Sequence, residues 1–139
     1  WHLLDLYGPV PVVTEPIVAP PKQNTRQEVY DFVVGELTAI QQRVQQVHAA
    51  DPLLNYVQDL IAATRSGRWF LQGLSPRAGI ALLRAAKAQA LISGRDYVAP
   101  DDVQAVLPQT IAHRLVPVGD AGRGAVEQVR AMVDAVPLP

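Results

Sequence analysis

The chain has 139 residues, of which 49% are hydrophobic and 18% charged, as expected for a folded globular domain rather than a disordered chain. Its twelve basic and thirteen acidic residues are scattered and give a net charge of −1, so no nucleic-acid or anionic membrane partner is expected. There is no cysteine, which excludes disulfides, thiolate catalysis and cysteine-based zinc sites.

No apolar run in the sequence approaches the roughly 20 residues needed to cross a bilayer. The N-terminus also lacks the basic segment followed by a short apolar run that marks a signal peptide. We therefore expect a cytoplasmic domain without a membrane span. The first residue is Trp1 rather than Met, so we expect the gene to begin further upstream.

Residues 1–24 are predicted to form an extended, proline-rich arm or linker. Proline removes a backbone donor and fixes φ, which excludes a helix and disfavours a central strand. A short edge strand at residues 10–13 stays open. Five of the twelve prolines lie in this segment: Pro9, Pro11, Pro16, Pro20 and Pro21.

Two helices are predicted between residues 25 and 65. From Asn24 onwards, apolar residues recur at spacings of three and four as far as Val47, which predicts one apolar stripe on a helix. A division of this run in two at Gly35 stays open. Asp51-Pro52 then predicts a second helix, with Asp51 as the N-cap and Pro52 at the first helical position. Ser66-Gly67 ends this helix.

A third helix is predicted from Ser75-Pro76, which repeats the start signal, through an alanine-rich stretch to Ser93-Gly94. Pro100-Asp101-Asp102 starts a fourth helix, whose first-turn carboxylates suit the helix dipole and which Pro108 is expected to interrupt. Thr110 to Leu115 is expected to add one or two further turns.

The fold is therefore predicted to be all-α, a small helical bundle with an extended proline-rich N-terminal arm. We expect a helical domain at residues 25–118, followed at residues 119–139 by a glycine-rich loop and a C-terminal amphipathic helix. That last helix carries Val126, Val129 and Met132 on one face.

The sequence shows no set of catalytic side chains that could meet in one active site. Ser75 has no histidine at a recognisable spacing, and a serine before a helix-start proline is typical of an N-cap. The three histidines are far apart, and the adjacent Asp101 and Asp102 point in different directions on a helix, so no metal site is predicted. The phosphate-binding motifs Gly-x-x-x-x-Gly-Lys-Ser/Thr and Gly-x-Gly-x-x-Gly are both absent from the sequence. The isolated chain is not expected to be an enzyme or to bind a cofactor.

Arg77 is the residue whose placement suggests chemistry. It lies in the first turn of the third helix, where free N–H groups and the helix dipole already favour an anion. Arginine binds phosphate well because its planar fork donates two hydrogen bonds at once. Arg84 lies two turns further on, and Lys87 one turn beyond it. From periodicity alone, three solvated surface charges remain the preferred interpretation.

The sequence around these residues resembles the C-terminal helical lid of the MoxR family of AAA+ ATPases. The resemblance extends from about Gly35 to the C-terminus and passes through several successive motifs. These motifs are Val47-His-Ala-Ala-Asp-Pro-Leu-Leu-Asn-Tyr-Val57, Leu60-Ile-Ala-Ala-Thr-Arg65, Gly73-Leu-Ser-Pro-Arg-Ala78 continuing to Lys87, Ala90 to Val103, His113-Arg-Leu115 and Ala135-Val-Pro-Leu-Pro139.

The resemblance implies that Arg77 is the sensor 2 arginine, with Ser75 and Arg84 as supporting residues. The lid of such a protein closes over ATP and Mg²⁺ held by a core domain, whose Walker A and B segments are absent from this chain. It implies as partners that core and neighbouring ring subunits. It also implies a chaperone-like parent ATPase that assembles or activates partners, with metal-cofactor enzymes or complexes with von Willebrand factor A domains as the expected kinds of client.

Two other functions are compatible with a helical bundle. A stand-alone adaptor with no nucleotide role would bind a partner through an apolar groove, with Trp69 and Phe70 as anchors, although such residues more often plug a core edge. A DNA-binding domain is disfavoured by the neutral charge and by the lack of a recognition helix rich in Arg, Asn and Gln.

Overall fold

A computed structural model describes residues 23–119 and 124–139. These residues form five α-helices, which we number α1 to α5, and a short 3-10 turn. Their bounds are α1 Arg26–Gln46, α2 Asp51–Arg65, α3 Pro76–Ile92, α4 Pro100–Ile111, the 3-10 turn Ala112–Arg114 and α5 Ala125–Ala135. No sheet occurs in these two ranges, so the all-α prediction is confirmed. Residues 1–22, which make up most of the predicted arm, lie outside the described residues.

Helix α1 is continuous through Gly35, so the division that the sequence left open at this glycine does not occur. A reciprocal capping box opens the helix: the Thr25 backbone N–H donates to Glu28 Oε2 at 2.7 Å, and the Glu28 N–H donates to Thr25 Oγ1 at 3.3 Å. The predicted apolar stripe is mostly exposed, since Val29 is its one buried member within α1. Its exposed members include Phe32, Val33, Leu37 and Ile40.

The chain divides into two compact units, residues 1–42 and 43–139. The second unit contains the hydrophobic core, to which α2, α3, α4 and α5 each contribute one apolar face. Helix α3 packs against α2 and α4, and α5 packs against α2 and α4. Residues that are 0 or 1% exposed include Leu60, Leu82, Ala86, Val103, Leu107, Val129 and Met132.

Two of the predicted helix signals, the cap of α2 and the break in α4, differ in the structure. Helix α2 starts at Asp51 itself, with Ala50 in the N-cap position and no side-chain cap, so the prediction that Asp51 is the N-cap is wrong. Pro108 lies inside α4 instead of interrupting it. A proline in a helix loses one backbone hydrogen bond, but Leu107 and Ile111 on either side of it are almost completely buried. Their packing holds the last turn in helical conformation.

The connections between the helices pair with one another through isolated backbone bridges. The Leu71 N–H donates to the Val116 carbonyl at 2.9 Å, and the Val118 N–H donates to the Trp69 carbonyl at 3.0 Å. Between these contacts Phe70 is 1% exposed and belongs to the core, whereas Trp69 is half-buried against it. Phe70 therefore closes the edge of the core and is not available as an anchor for a partner.

Candidate functional site

The connection that leads into α3 is fixed by the last residues of α2. The side chain of Thr64 is completely buried. Its hydroxyl donates to the Ile61 carbonyl at 2.6 Å and accepts a hydrogen bond from the Leu74 N–H at 3.0 Å. Arg65 Nε donates to the Leu74 carbonyl at 2.8 Å. Two successive residues of α2 thus satisfy both backbone polar groups of Leu74, whose own side chain is buried.

Two glycines allow α3 to approach α2 closely. A Cβ on Gly73 would overlap the Cγ of Arg65 and would lie 2.8 Å from its Cα, so only glycine fits against this part of α2. A Cβ on Gly79 would overlap the Cδ1 methyl of Ile61. The position of the start of α3 is therefore determined by contacts with α2, which sequence periodicity does not reveal.

Ser75 and Pro76 start α3 as predicted. Ser75 has the extended N-cap conformation, with φ −73° and ψ 158°, and Pro76 follows in the first turn. The Ser75 hydroxyl accepts a hydrogen bond from the Ala78 N–H at 3.3 Å. This serine therefore satisfies one of the free N–H groups of the helix. In this structure its hydroxyl has a capping role.

Arg77 is exposed in the first turn of α3, which contains no acidic residue. Within the described part of the chain its guanidinium makes neither a hydrogen bond nor an ion pair. Its positive charge lies beside free backbone N–H groups and the positive end of the helix dipole. The arrangement leaves a cationic helix end that can accept an anion.

Arg84 lies on the same face of α3 as Arg77, about 10 Å along the helix axis at ~1.5 Å per residue. It is exposed. Lys87, by contrast, donates a hydrogen bond to the Gln45 carbonyl at 3.2 Å. Of the three basic residues on α3, Lys87 therefore bonds to a backbone carbonyl, whereas Arg77 and Arg84 are exposed.

An open groove of about 620 Å³, which we call the α2–α3 groove, runs between these two helices next to the start of α3. Its apolar lining comes from both helices. The apolar side chains are Leu54, Val57, Ile61 and Ala62 of α2 and Pro76, Ile80 and Leu83 of α3, with Gly79 between them. The amino-acid sequence does not locate this groove, because the groove depends on how closely the two helices pack.

A second polar cluster joins the connection after α3 to α4. Asp102 is 3% exposed and accepts two hydrogen bonds from the guanidinium of Arg95, at 2.6 and 2.7 Å. It also accepts the Ala99 N–H at 2.8 Å, which caps α4 because the alanine side chain cannot. Asp101, its neighbour, is exposed. The two adjacent carboxylates therefore have different environments, and the buried one is structural.

The pKa of Asp102 is lowered from its usual value of 3.8. Burial alone would raise this pKa, but the hydrogen bonds from Arg95 and the Ala99 N–H and the nearby positive charge together outweigh burial. The pKa of Arg95 is raised, mainly by its hydrogen bond to Asp102. Among the described residues, no group of histidine and acidic side chains could hold a metal ion.

None of the described helices combines the length and the apolar character that a bilayer crossing requires.

Comparison with known proteins gives consistent matches. The sequence profile of the AAA lid domain matches residues 62–135. The chain is 40% identical over 103 residues to YeaC, an uncharacterised protein of Bacillus subtilis, covering 72% of this chain and 32% of YeaC. It is 36% identical over 96 residues to the chaperone MoxR1 of Mycobacterium tuberculosis, covering 63% of this chain and 26% of MoxR1. It is 41% identical over 71 residues to the protein MoxR of Methylorubrum extorquens, covering 48% of this chain and 21% of that protein.

A solved structure shows the same fold. A candidate ATPase from Cytophaga hutchinsonii matches with a TM-score of 0.64 and 28% sequence identity, over 70% of this chain and 33% of that protein. The chain thus spans about a third or less of the length of the proteins that it matches.

Proposed function

Because the chain belongs to the AAA lid domain family and is the lid region of a MoxR-family AAA+ ATPase, we propose that it closes over ATP held by the core domain of a longer protein. In this proposal Arg77 is the sensor 2 arginine and reaches the γ-phosphate. Ser75 contributes by capping the helix that carries Arg77, and Arg84 adds positive charge on the same face.

The observation that carries this proposal is the state of Arg77. An arginine in the first turn of a helix is mildly unfavourable for that helix, because both the dipole and the free N–H groups prefer a negative charge. In the described residues nothing negative compensates it. A phosphate from outside would be bound by the guanidinium fork and by the positive end of the helix together.

The proposed role is electrostatic. During phosphoryl transfer, charge develops on the equatorial and leaving oxygens, and a preorganised arginine stabilises this charge in the transition state. The contacts of Thr64 and Arg65 with Leu74, and the close fit of Gly73 against Arg65, fix the backbone that carries Arg77. The same arginine would distinguish ATP from ADP, since ADP lacks the phosphate that it contacts.

The isolated chain is not proposed to be an enzyme. We propose that the parent protein is an ATPase whose core domain supplies the phosphate-binding loop, the Mg²⁺ ligands and the catalytic base. We further propose that the parent acts in a ring, with neighbouring subunits as partners. MoxR1 is described as a chaperone, and we extend a chaperone-like role to this parent, with a von Willebrand factor A domain as the candidate client.

The decisive experiment uses the full-length parent. Arg77→Ala should lower kcat for ATP hydrolysis on the order of 10²-fold, the loss typical of removing one transition-state donor. Arg77→Lys should recover only part of the activity, because an ammonium group cannot form the bidentate contact. Arg130→Ala, which removes an exposed arginine from α5, is the matched control and should leave kcat unchanged. An Arg77→Ala parent with unaltered kcat would rule out the sensor 2 role.

A further inference from the structure

The α2–α3 groove is a second candidate interaction site on the surface of this chain. Leu54, Val57 and Ile61 form one wall, and Pro76, Ile80 and Leu83 form the other. Ile80 is 56% exposed, so a large apolar side chain stands in solvent at the edge of the groove. Contiguous apolar surface of this kind, bordered by polar groups, commonly marks a binding site.

The charges around the groove are mostly positive. Arg65 is the charged residue among those that line it, and Asp51, three residues before Leu54, is the acidic residue of α2 on the groove side. On α3, Arg77 and Arg84 lie three residues before and four residues after Ile80, so both flank it on the same helical face. The apolar lining is therefore bordered by arginines on both helices.

We propose that the α2–α3 groove binds an amphipathic helix of a partner protein, one whose apolar stripe is flanked by Asp and Glu. From Leu54 to Arg65 the α2 wall extends over about three helical turns, roughly 17 Å at ~1.5 Å per residue. Helix-in-groove recognition uses apolar side chains at spacings of three and four over such a length. Acidic residues beside that stripe would face the arginines, and this complementarity would set orientation and specificity.

The proposal does not depend on nucleotide binding, and its experiment contains no ATP. The probes are fluorescein-labelled helical peptides with leucines at positions i, i+4 and i+7 and glutamates beside them. Fluorescence anisotropy with the 139-residue chain should give saturable binding. A peptide with lysine in place of every glutamate keeps the apolar stripe and reverses the charge, and it should bind at least about tenfold more weakly, a difference of ~1.4 kcal/mol.

Two isoleucines of α3 provide a matched pair of variants. Ile80, in the groove, and Ile92, at the end of the helix and outside it, are 56% and 81% exposed. Ile80→Asp should abolish binding of the glutamate peptide, whereas Ile92→Asp should retain it. Unfolding midpoints of both variants establish that they remain folded.

Methyl NMR spectra locate the bound peptide directly. Signals of Ile61, Ile80, Leu54 and Leu83 should shift on titration, whereas those of Leu71 and Ile92 should not. The proposal is overturned by any one of three results: absent binding of the glutamate peptide, equal binding of the lysine peptide, or shifts centred away from the groove. None of these results would affect the proposed contact between Arg77 and a phosphate.

Discussion

The buried hydroxyl of Thr64 holds the backbone N–H of Leu74 at 3.0 Å, ten residues further along the chain. This contact joins the last turn of α2 to the connection that precedes α3. Because Arg77 follows Leu74 by only three residues, its position depends on a side chain of another helix. Thr64, which lies on another helix, can therefore influence where the backbone places Arg77.

Thr64→Val tests this contact, because valine has nearly the same shape and lacks the hydroxyl. The Leu74 N–H would then be buried without an acceptor, which destabilises a protein by about 1–3 kcal/mol. Urea unfolding of the 139-residue chain measures the loss. Thr110→Val is the matched control, since the Thr110 hydroxyl only donates to the Val106 carbonyl within its own helix. A Thr64→Val loss no larger than that of Thr110→Val would contradict the assigned role.

The two glycines beside α2 should respond differently to a methyl group. Gly73→Ala would place its Cβ against the backbone of Arg65, whereas Gly79→Ala would meet the mobile end of the Ile61 side chain. Overpacking typically costs about 1–3 kcal/mol, and we expect Gly73→Ala near the upper end and Gly79→Ala near the lower.

Gly35→Ala is the control for this pair, because its Cβ would meet open space in the middle of α1. Alanine is favoured over glycine within a helix by about 1 kcal/mol, so this substitution should not lower the unfolding midpoint. The interpretation would be wrong if Gly79→Ala were more damaging than Gly73→Ala.

Local signals in the sequence predicted the helix boundaries well where a side chain of the helix itself decides them. Ser75-Pro76 predicted the start of α3, and Ser93-Gly94 predicted its end. Gly94 follows the helix in the left-handed conformation, with φ +75°. The MoxR resemblance on these motifs is confirmed by the family comparison. Arg77 could be singled out from the sequence because a positive charge in the first turn is unfavourable for the helix that carries it.

Contacts between helices could not be predicted in this way. Pro108 remains helical because of packing by Leu107 and Ile111 that a local proline rule ignores. Asp101 and Asp102 are adjacent acidic residues in the sequence, and the hydrogen bonds from Arg95 and from the Ala99 N–H make Asp102 structural. In the same way, periodicity marks Thr64 only as one more position on the inner face of α2.

The stability of the chain should fall in acid because of Asp102. Its folded-state pKa lies below the usual 3.8, so its contribution is complete above that pH and is lost as the pH falls through the lowered value. Asp102→Asn should remove this part of the pH dependence and lower the free energy of unfolding at pH 7 by about 1.5–3 kcal/mol.

Asp101→Asn provides the comparison for Asp102, since it changes the adjacent, exposed carboxylate in the same first turn of α4. We expect this variant to change stability by less than about 0.5 kcal/mol. Urea unfolding between pH 3 and pH 7 would measure both variants. Equal effects of the two substitutions would mean that the Arg95 contact contributes nothing.

Arg77 and Ser75 should have opposite effects on the stability of the isolated chain. Ser75→Ala removes the N-cap and should destabilise it by about 0.5–2 kcal/mol. Arg77→Glu replaces an unfavourable charge in the first turn by a favourable one and should stabilise the chain by about 0.3–1 kcal/mol at low salt. Arg84→Glu makes the same charge reversal in the middle of α3, where the dipole has little effect, and should be nearly neutral.

These three variants separate stability from function. A residue whose replacement stabilises the fold does not by itself indicate a function, because proteins are rarely at their stability optimum, so the activity of the parent must be measured as well. If Arg77→Glu stabilises the isolated chain and inactivates the parent ATPase, the placement of the arginine is explained by a phosphate that the core supplies. If Arg77→Glu instead destabilises the chain by more than Arg84→Glu, the arginine has a favourable contact within the lid, and its position at the helix start would no longer point to an external anion.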